Sequence, residues 1–78
     1  MTKVDKVLDC VGLYCPMPIV NTAQEIKKMR IGEILQVLAD DQGIKYDMPA
    51  LCEVTGNECL DIEEEAGIYK VYLKKLVD

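Results

Sequence analysis

The residues best suited to covalent chemistry form one short run, Gly12-Leu13-Tyr14-Cys15-Pro16-Met17-Pro18. Proline lacks the N–H that a first-turn residue leaves unpaired anyway, and its φ is already helical. Pro16 and Pro18 therefore mark where a helix begins and put Cys15 at or beside its N-cap. There the helix macrodipole and the free N–H of Met17 favour thiolate over thiol. A free cysteine with a pKa of ~8.5 is only about 3% thiolate at pH 7, whereas a fall of ~1.5 units makes it roughly half thiolate and a competent nucleophile. Gly12 lets the backbone turn tightly where the preceding strand ends. The competing reading of Cys15 is a small buried residue beside a rigid turn.

The chain contains no histidine, which excludes Ser-His and Cys-His nucleophile pairs and imidazole proton shuttles. Its four cysteines are spaced Cys10-x4-Cys15 and Cys52-x6-Cys59, without the close CxxC pairs of a zinc site, so no metal is expected. Cys10 lies across the same loop as Cys15 and is either an auxiliary thiol that resolves an adduct or a packing residue at a strand end. Cys52 shares an apolar helical face with Met48 and Leu51 and is expected in the core. Cys59 is expected to face solvent or an edge. Asp40, Asp41 and Asp47 suit either a proton acceptor or partner contact or, as the structural reading, a helix N-cap at Asp47 and the end of a strand at Asp40-Asp41. Lys70, Lys74 and Lys75 suit either a docking patch for an acidic partner or a guard against edge pairing.

These residues need elements to position them. Val4 to Cys10 reads as a first strand and Pro16 to Met29 as a helix, with Ile19, Val20, Ala23, Ile26 and Met29 at helical spacing and Gly32 as its C-cap. Glu33 to Ala39 is nearly all apolar and suits a strand in the middle of a sheet. A second helix carries Ile44, Met48, Leu51, Cys52 and Thr55 on one face. Asp47 would be its N-cap, Pro49 would lie in its first turn, residues 42–46 would be a lead-in, and Gly56-Asn57 its stop. Glu58 to Glu65 and Ile68 to Leu76 flank Ala66-Gly67 as a hairpin, with Tyr69, Val71 and Leu73 alternating against Lys70, Tyr72 and Lys74. The order β-α-β-α-β-β predicts an α/β fold, a two-layer sandwich with a four-stranded mixed sheet and both helices on one face.

At 78 residues, residues 1–78 are read as a single domain with one small core. The charge of 9 basic against 14 acidic residues, a net of −5, argues against a general grip on nucleic-acid backbones. The apolar runs are far short of the ~20 residues that span a bilayer. Lys3, Asp5, Lys6 and Asp9 occupy the place where a secretory peptide would be apolar, so a cytoplasmic protein with reduced thiols is expected.

Leu8-Asp9-x-x-Gly12-Leu13-x-Cys15-Pro16-x-Pro18 resembles the signature of the TusA family, also described as SirA-like or YedF-like, whose mark is a Cys-Pro-x-Pro motif opening the first helix. The resemblance extends through Gly32-Glu33, Ala39-Asp40-Asp41, Asp47-x-Pro49 and Cys52. It implies the same β-α-β-α-β-β fold, similar to the C-terminal domain of translation initiation factor three. It also implies a sulfurtransferase acting as a sulfur carrier without a cofactor. In that role Cys15 receives sulfane sulfur as a persulfide from a cysteine desulfurase or rhodanese and passes it to an acceptor protein, in tRNA thiolation, molybdenum cofactor assembly or sulfur oxidation. Such a carrier is expected to be a monomer that inserts Cys15 into each partner in turn, with Leu13, Tyr14 and Met17 as contacts, although inward packing of Leu13 and Met17 is the competing reading. The alternative function is a thiol-disulfide or thiol-sensing protein that uses Cys10 and Cys15.

Overall fold

The computed structural model describes residues 3–14 and 17–77; Cys15 and Pro16 lie outside the described residues. The elements are β1 (Lys6–Asp9), α1 (Met17–Lys27), β2 (Ile34–Ala39), α2 (Ile44–Thr55), β3 (Glu58–Glu65) and β4 (Ile68–Lys74), the predicted order. The sheet runs β1-β2-β4-β3, with β1 parallel to β2 and the other pairs antiparallel. The result is the expected two-layer α/β sandwich with a mixed sheet.

Alternation decides which side of the sheet meets the helices. Leu35, Val37 and Ala39 of β2 and Tyr69, Val71 and Leu73 of β4 are buried, and each is flanked by partly exposed neighbours. Ile26 and Met29 reach this layer from α1 and its end, and Ile44, Met48 and Cys52 reach it from α2. Burying such side chains is the main favourable term in a domain this small.

Several boundaries differ from the sequence reading. Helix α1 ends at Lys27, after which Lys28 and Met29 donate to the carbonyls three residues back and tighten the chain. Gly32 is not its C-cap. It sits at φ 94° in the turn into β2, where its N–H meets the Lys75 carbonyl. The end of α1 is capped instead by Lys75, only 4% exposed, whose Nζ donates to the Lys27 and Met29 carbonyls at 3.2 and 2.6 Å. A buried ammonium is stable there because carbonyl oxygens and the negative end of the helix replace its water. Lys75 is thus no part of an exposed patch. Nor do the lysines of β4 guard an edge, since that strand lies inside the sheet and β3 forms the edge.

Asp47 is not the N-cap of α2. The helix begins earlier, at Ile44, with Gly43 at the cap position, and Asp47 lies in its first turn. Asp41 prepares this start: its Oδ1 accepts from the Gly43 N–H at 2.9 Å and its carbonyl accepts from Ile44. Burial of Ile44 together with Met48 favours the longer helix. Pro49 therefore lies inside it, on an exposed position where the Lys45 carbonyl that loses a donor can turn to water. The helix ends as expected at Gly56, in the left-handed conformation, with Gly56 and Asn57 both donating to the Cys52 carbonyl.

Candidate functional site at the β1 to α1 loop

The loop leaves the sheet where two parallel strands end together. The Cys10 N–H still donates to the Leu38 carbonyl of β2 at 2.7 Å, so Cys10 extends the ladder just past β1. Its side chain is fully buried, and burial, reinforced by the Asp9 charge, pushes its thiol pKa up. The chain then turns. Val11 donates to the Asp9 carboxylate at 3.0 Å and Leu13 donates to the Cys10 carbonyl at 3.2 Å. Gly12 adopts φ 88°, which a side chain would strain, and its N–H donates to Asp40 Oδ1 at 3.2 Å. A carboxylate at the end of β2 thereby holds the loop that follows β1.

Asp40 is a positioning residue, a role distinct from the strand end and from the proton acceptor or partner contact expected of it from the sequence. Its separation of 28 positions from Gly12 hides the contact. The signal available was topological: in a β-α-β unit with parallel strands, the residues just after each strand share one end of the sheet.

The candidate contact residues divide. Leu13 is half-buried and packs against the core, whereas Tyr14 is 82% exposed and Met17 45% exposed. Tyr14 and Met17, which adjoin residues 15–16 in the sequence, are thus both at the surface. Leu13, Tyr14, Asp40, Asp41 and Gln42 line an open recess of about 560 Å³. A more enclosed hollow of about 270 Å³, lined by residues such as Ile26, Thr55 and Lys75, lies at the opposite end of the helices.

The helix that follows is firmly anchored. Pro18 is buried, and its carbonyl accepts from Thr22 Oγ1 at 2.6 Å. One expectation fails: the Met17 N–H is not free, since it donates to the Tyr14 carbonyl at 2.8 Å. The described residues contain no group of three or more potential metal-ligating Cys, Asp or Glu side chains. Among them no helix is long and apolar enough to cross a membrane.

Comparison with known proteins agrees with this architecture. Residues 6–75 match the family model for sulfurtransferase TusA. YrkF of Bacillus subtilis is 43% identical over 96% of this chain, which spans only 40% of that protein's length. YrkI of the same organism is 42% identical over 94% of this chain and 97% of its own length. The sulfur carrier protein TusA of Pseudomonas aeruginosa is 35% identical over 97% of this chain and 96% of its own. The crystal structure of a SirA-like protein from Desulfitobacterium hafniense superposes with a TM-score of 0.79, covering 92% of this chain and 99% of that one at 19% identity, a likeness of fold. With a matching family model over nearly its whole length and relatives of its own size, this chain belongs to the TusA family.

Proposed function

We propose that the protein is a sulfur carrier that holds sulfane sulfur as a persulfide on Cys15. The observation that carries the reading is the family match across residues 6–75, joined to a loop whose flanking side chains, Tyr14 and Met17, stand at the surface. A donor enzyme, a cysteine desulfurase or a rhodanese, presents a cysteine persulfide. The Cys15 thiolate attacks its outer sulfur, the donor cysteine leaves as thiolate, and Cys15 becomes a persulfide. A thiolate on the acceptor protein then repeats the displacement and releases Cys15. No net oxidation occurs in either step, and no cofactor is required.

Gly12, Pro16 and Pro18 set the loop and the helix start in this scheme, while Tyr14 and Met17 supply exposed contact and Leu13 anchors the loop from inside. The acceptor belongs to a thiolation, molybdenum cofactor or sulfur-oxidation pathway. The carrier works as a cytoplasmic monomer without stable binding to nucleic acid. Burial of Cys10 counts against the alternative in which Cys10 and Cys15 form a redox pair.

Cys15→Ser tests the assignment. The variant should keep its circular dichroism spectrum and lose sulfur loading, read as the absence of a gain of about 32 Da after incubation with a desulfurase and cysteine. Cys10→Ser should keep most of the loading. Loading of Cys15→Ser at the wild-type rate would identify another thiol as the carrier.

A further inference from the structure

The hollow at the far end of the helices holds a charge that nothing beside it balances. Lys75 is buried in its wall, and among the described residues no ion pair includes it. Two of its three N–H groups go to the Lys27 and Met29 carbonyls, and no described group takes the third. Carbonyls satisfy hydrogen bonds but leave the full charge in place, and buried charges are ordinarily paired. The backbone fixes where this side chain starts, since the Lys75 N–H donates to the Glu33 carbonyl at 3.0 Å and its carbonyl accepts from Gly32 at 2.7 Å. The rest of the wall is mostly apolar and already set. Ala23 and Ile26 come from the last turns of α1, and Val77 from the tail after β4. Thr55 and Asn57 close it at the end of α2, with their polar atoms used on each other and on backbone. Asn57 Nδ2 donates to Thr55 Oγ1 at 3.0 Å, Thr55 Oγ1 donates to the Leu51 carbonyl at 2.7 Å, and Asn57 Oδ1 accepts from the Leu76 N–H at 3.0 Å. Lys27, which is exposed, adds a second ammonium to the lining.

We propose that this hollow binds a small organic monoanion, a carboxylate carried on a short apolar body. The carboxylate accepts the third N–H of Lys75 and supplies the missing counter-ion, and Lys27 adds to the attraction. The body lies against Ala23, Ile26 and Val77 and removes their apolar surface from water. One negative charge suits the site better than two, because α1 and α2 both end here and their last carbonyls oppose added negative charge. A cation is repelled by two ammonium groups, and a neutral alcohol leaves Lys75 without a counter-charge. Volume sets the size. A dry cavity of ~150 Å³ holds benzene, so a hollow of about 270 Å³ takes a ligand of roughly eight to ten non-hydrogen atoms. The site lies at the opposite end of the helices from the Cys15 loop and is independent of the carrier role.

The experiment is a methyl-detected NMR titration of the full chain at neutral pH with hexanoate, hexan-1-ol, hexylammonium and acetate. Hexanoate should shift the methyl signals of Ala23, Ile26, Thr55 and Val77 saturably, with a Kd of about 0.1–5 mM, as suits so small a ligand. Hexan-1-ol and acetate each lack one half of the recognition and should bind at least about tenfold more weakly, while hexylammonium should not saturate. Ala23→Leu fills the hollow with a good helix former and leaves both lysines, and should abolish the shifts. Lys75→Met should weaken hexanoate binding at least about tenfold. Because that variant also removes the cap of α1, the ligand series on the unaltered chain and Ala23→Leu decide the question if it does not fold. Shifts confined to another surface, no saturation by about 20 mM hexanoate, equal affinity for hexanoate and hexan-1-ol, or unchanged binding by folded Ala23→Leu would each overturn the proposal. The titration reads no sulfur transfer, so its outcome and that of the carrier test are separable.

Discussion

The three described cysteines are withdrawn from solvent to different degrees, Cys59 less than the other two. Cys10 and Cys52 are buried, and burial raises both pKa values, that of Cys52 to about 12. Tyr14 and Met17, on either side of residues 15–16 in the sequence, are exposed. Alkylation by iodoacetamide at pH 7 should favour Cys15 over Cys52 by more than about tenfold, and its rate should rise with pH as thiolate forms. Peptide mapping during the reaction checks this, and comparable rates at the two sites would contradict it.

At the scale of elements, two contacts invite measurement. Lys75 closes α1 by donating to two of its terminal carbonyls from a buried position. Lys75→Met keeps the apolar bulk but leaves those carbonyls unpaired, and should destabilise the domain by about 1–3 kcal/mol in urea unfolding with little change in m. The β3–β4 hairpin turns through Ala66 at φ 53° and Gly67 at φ 81°, both left-handed, as a two-residue turn of type I′ requires. Alanine at the first position is strained. Ala66→Asn should therefore raise stability by about 0.5–1 kcal/mol, seen as a higher midpoint in the same experiment.

At the scale of the molecule, a core this small leaves no room to enclose a reacting pair, so a carrier must offer its cysteine to the partner's cleft. Donor and acceptor are then expected to share one surface around Tyr14, Met17 and the recess with Asp40 and Asp41. Tyr14→Ala should weaken binding to both without unfolding the chain, and excess acceptor should displace the protein from its donor in a pull-down or by interferometry. A stable ternary complex would show two separate surfaces. The net charge of −5 and the acidic rim further imply that association with a basic partner slows as salt is added.

The architecture was largely legible in the sequence because its signals are local and periodic. Alternation in residues 68–74 fixed which face of β4 is buried, helical spacing found α1 and α2, and Ala66-Gly67 marked the hairpin. The turn at Gly12 and the helix start beside Pro18 were legible for the same reason, since glycine and proline act through the few residues they adjoin. What only the tertiary structure decided are the long-range partners. Asp40 meets Gly12 across 28 positions, Lys75 reaches back 46 positions to Met29, and Cys59 packs against the core although its strand is an edge. The start of α2 was misplaced because a proline and an aspartate signal a boundary locally, whereas burial of Ile44 against the sheet outweighs that signal. In each case the deciding energy comes from groups brought together by strand order, and strand order is a property of the whole chain.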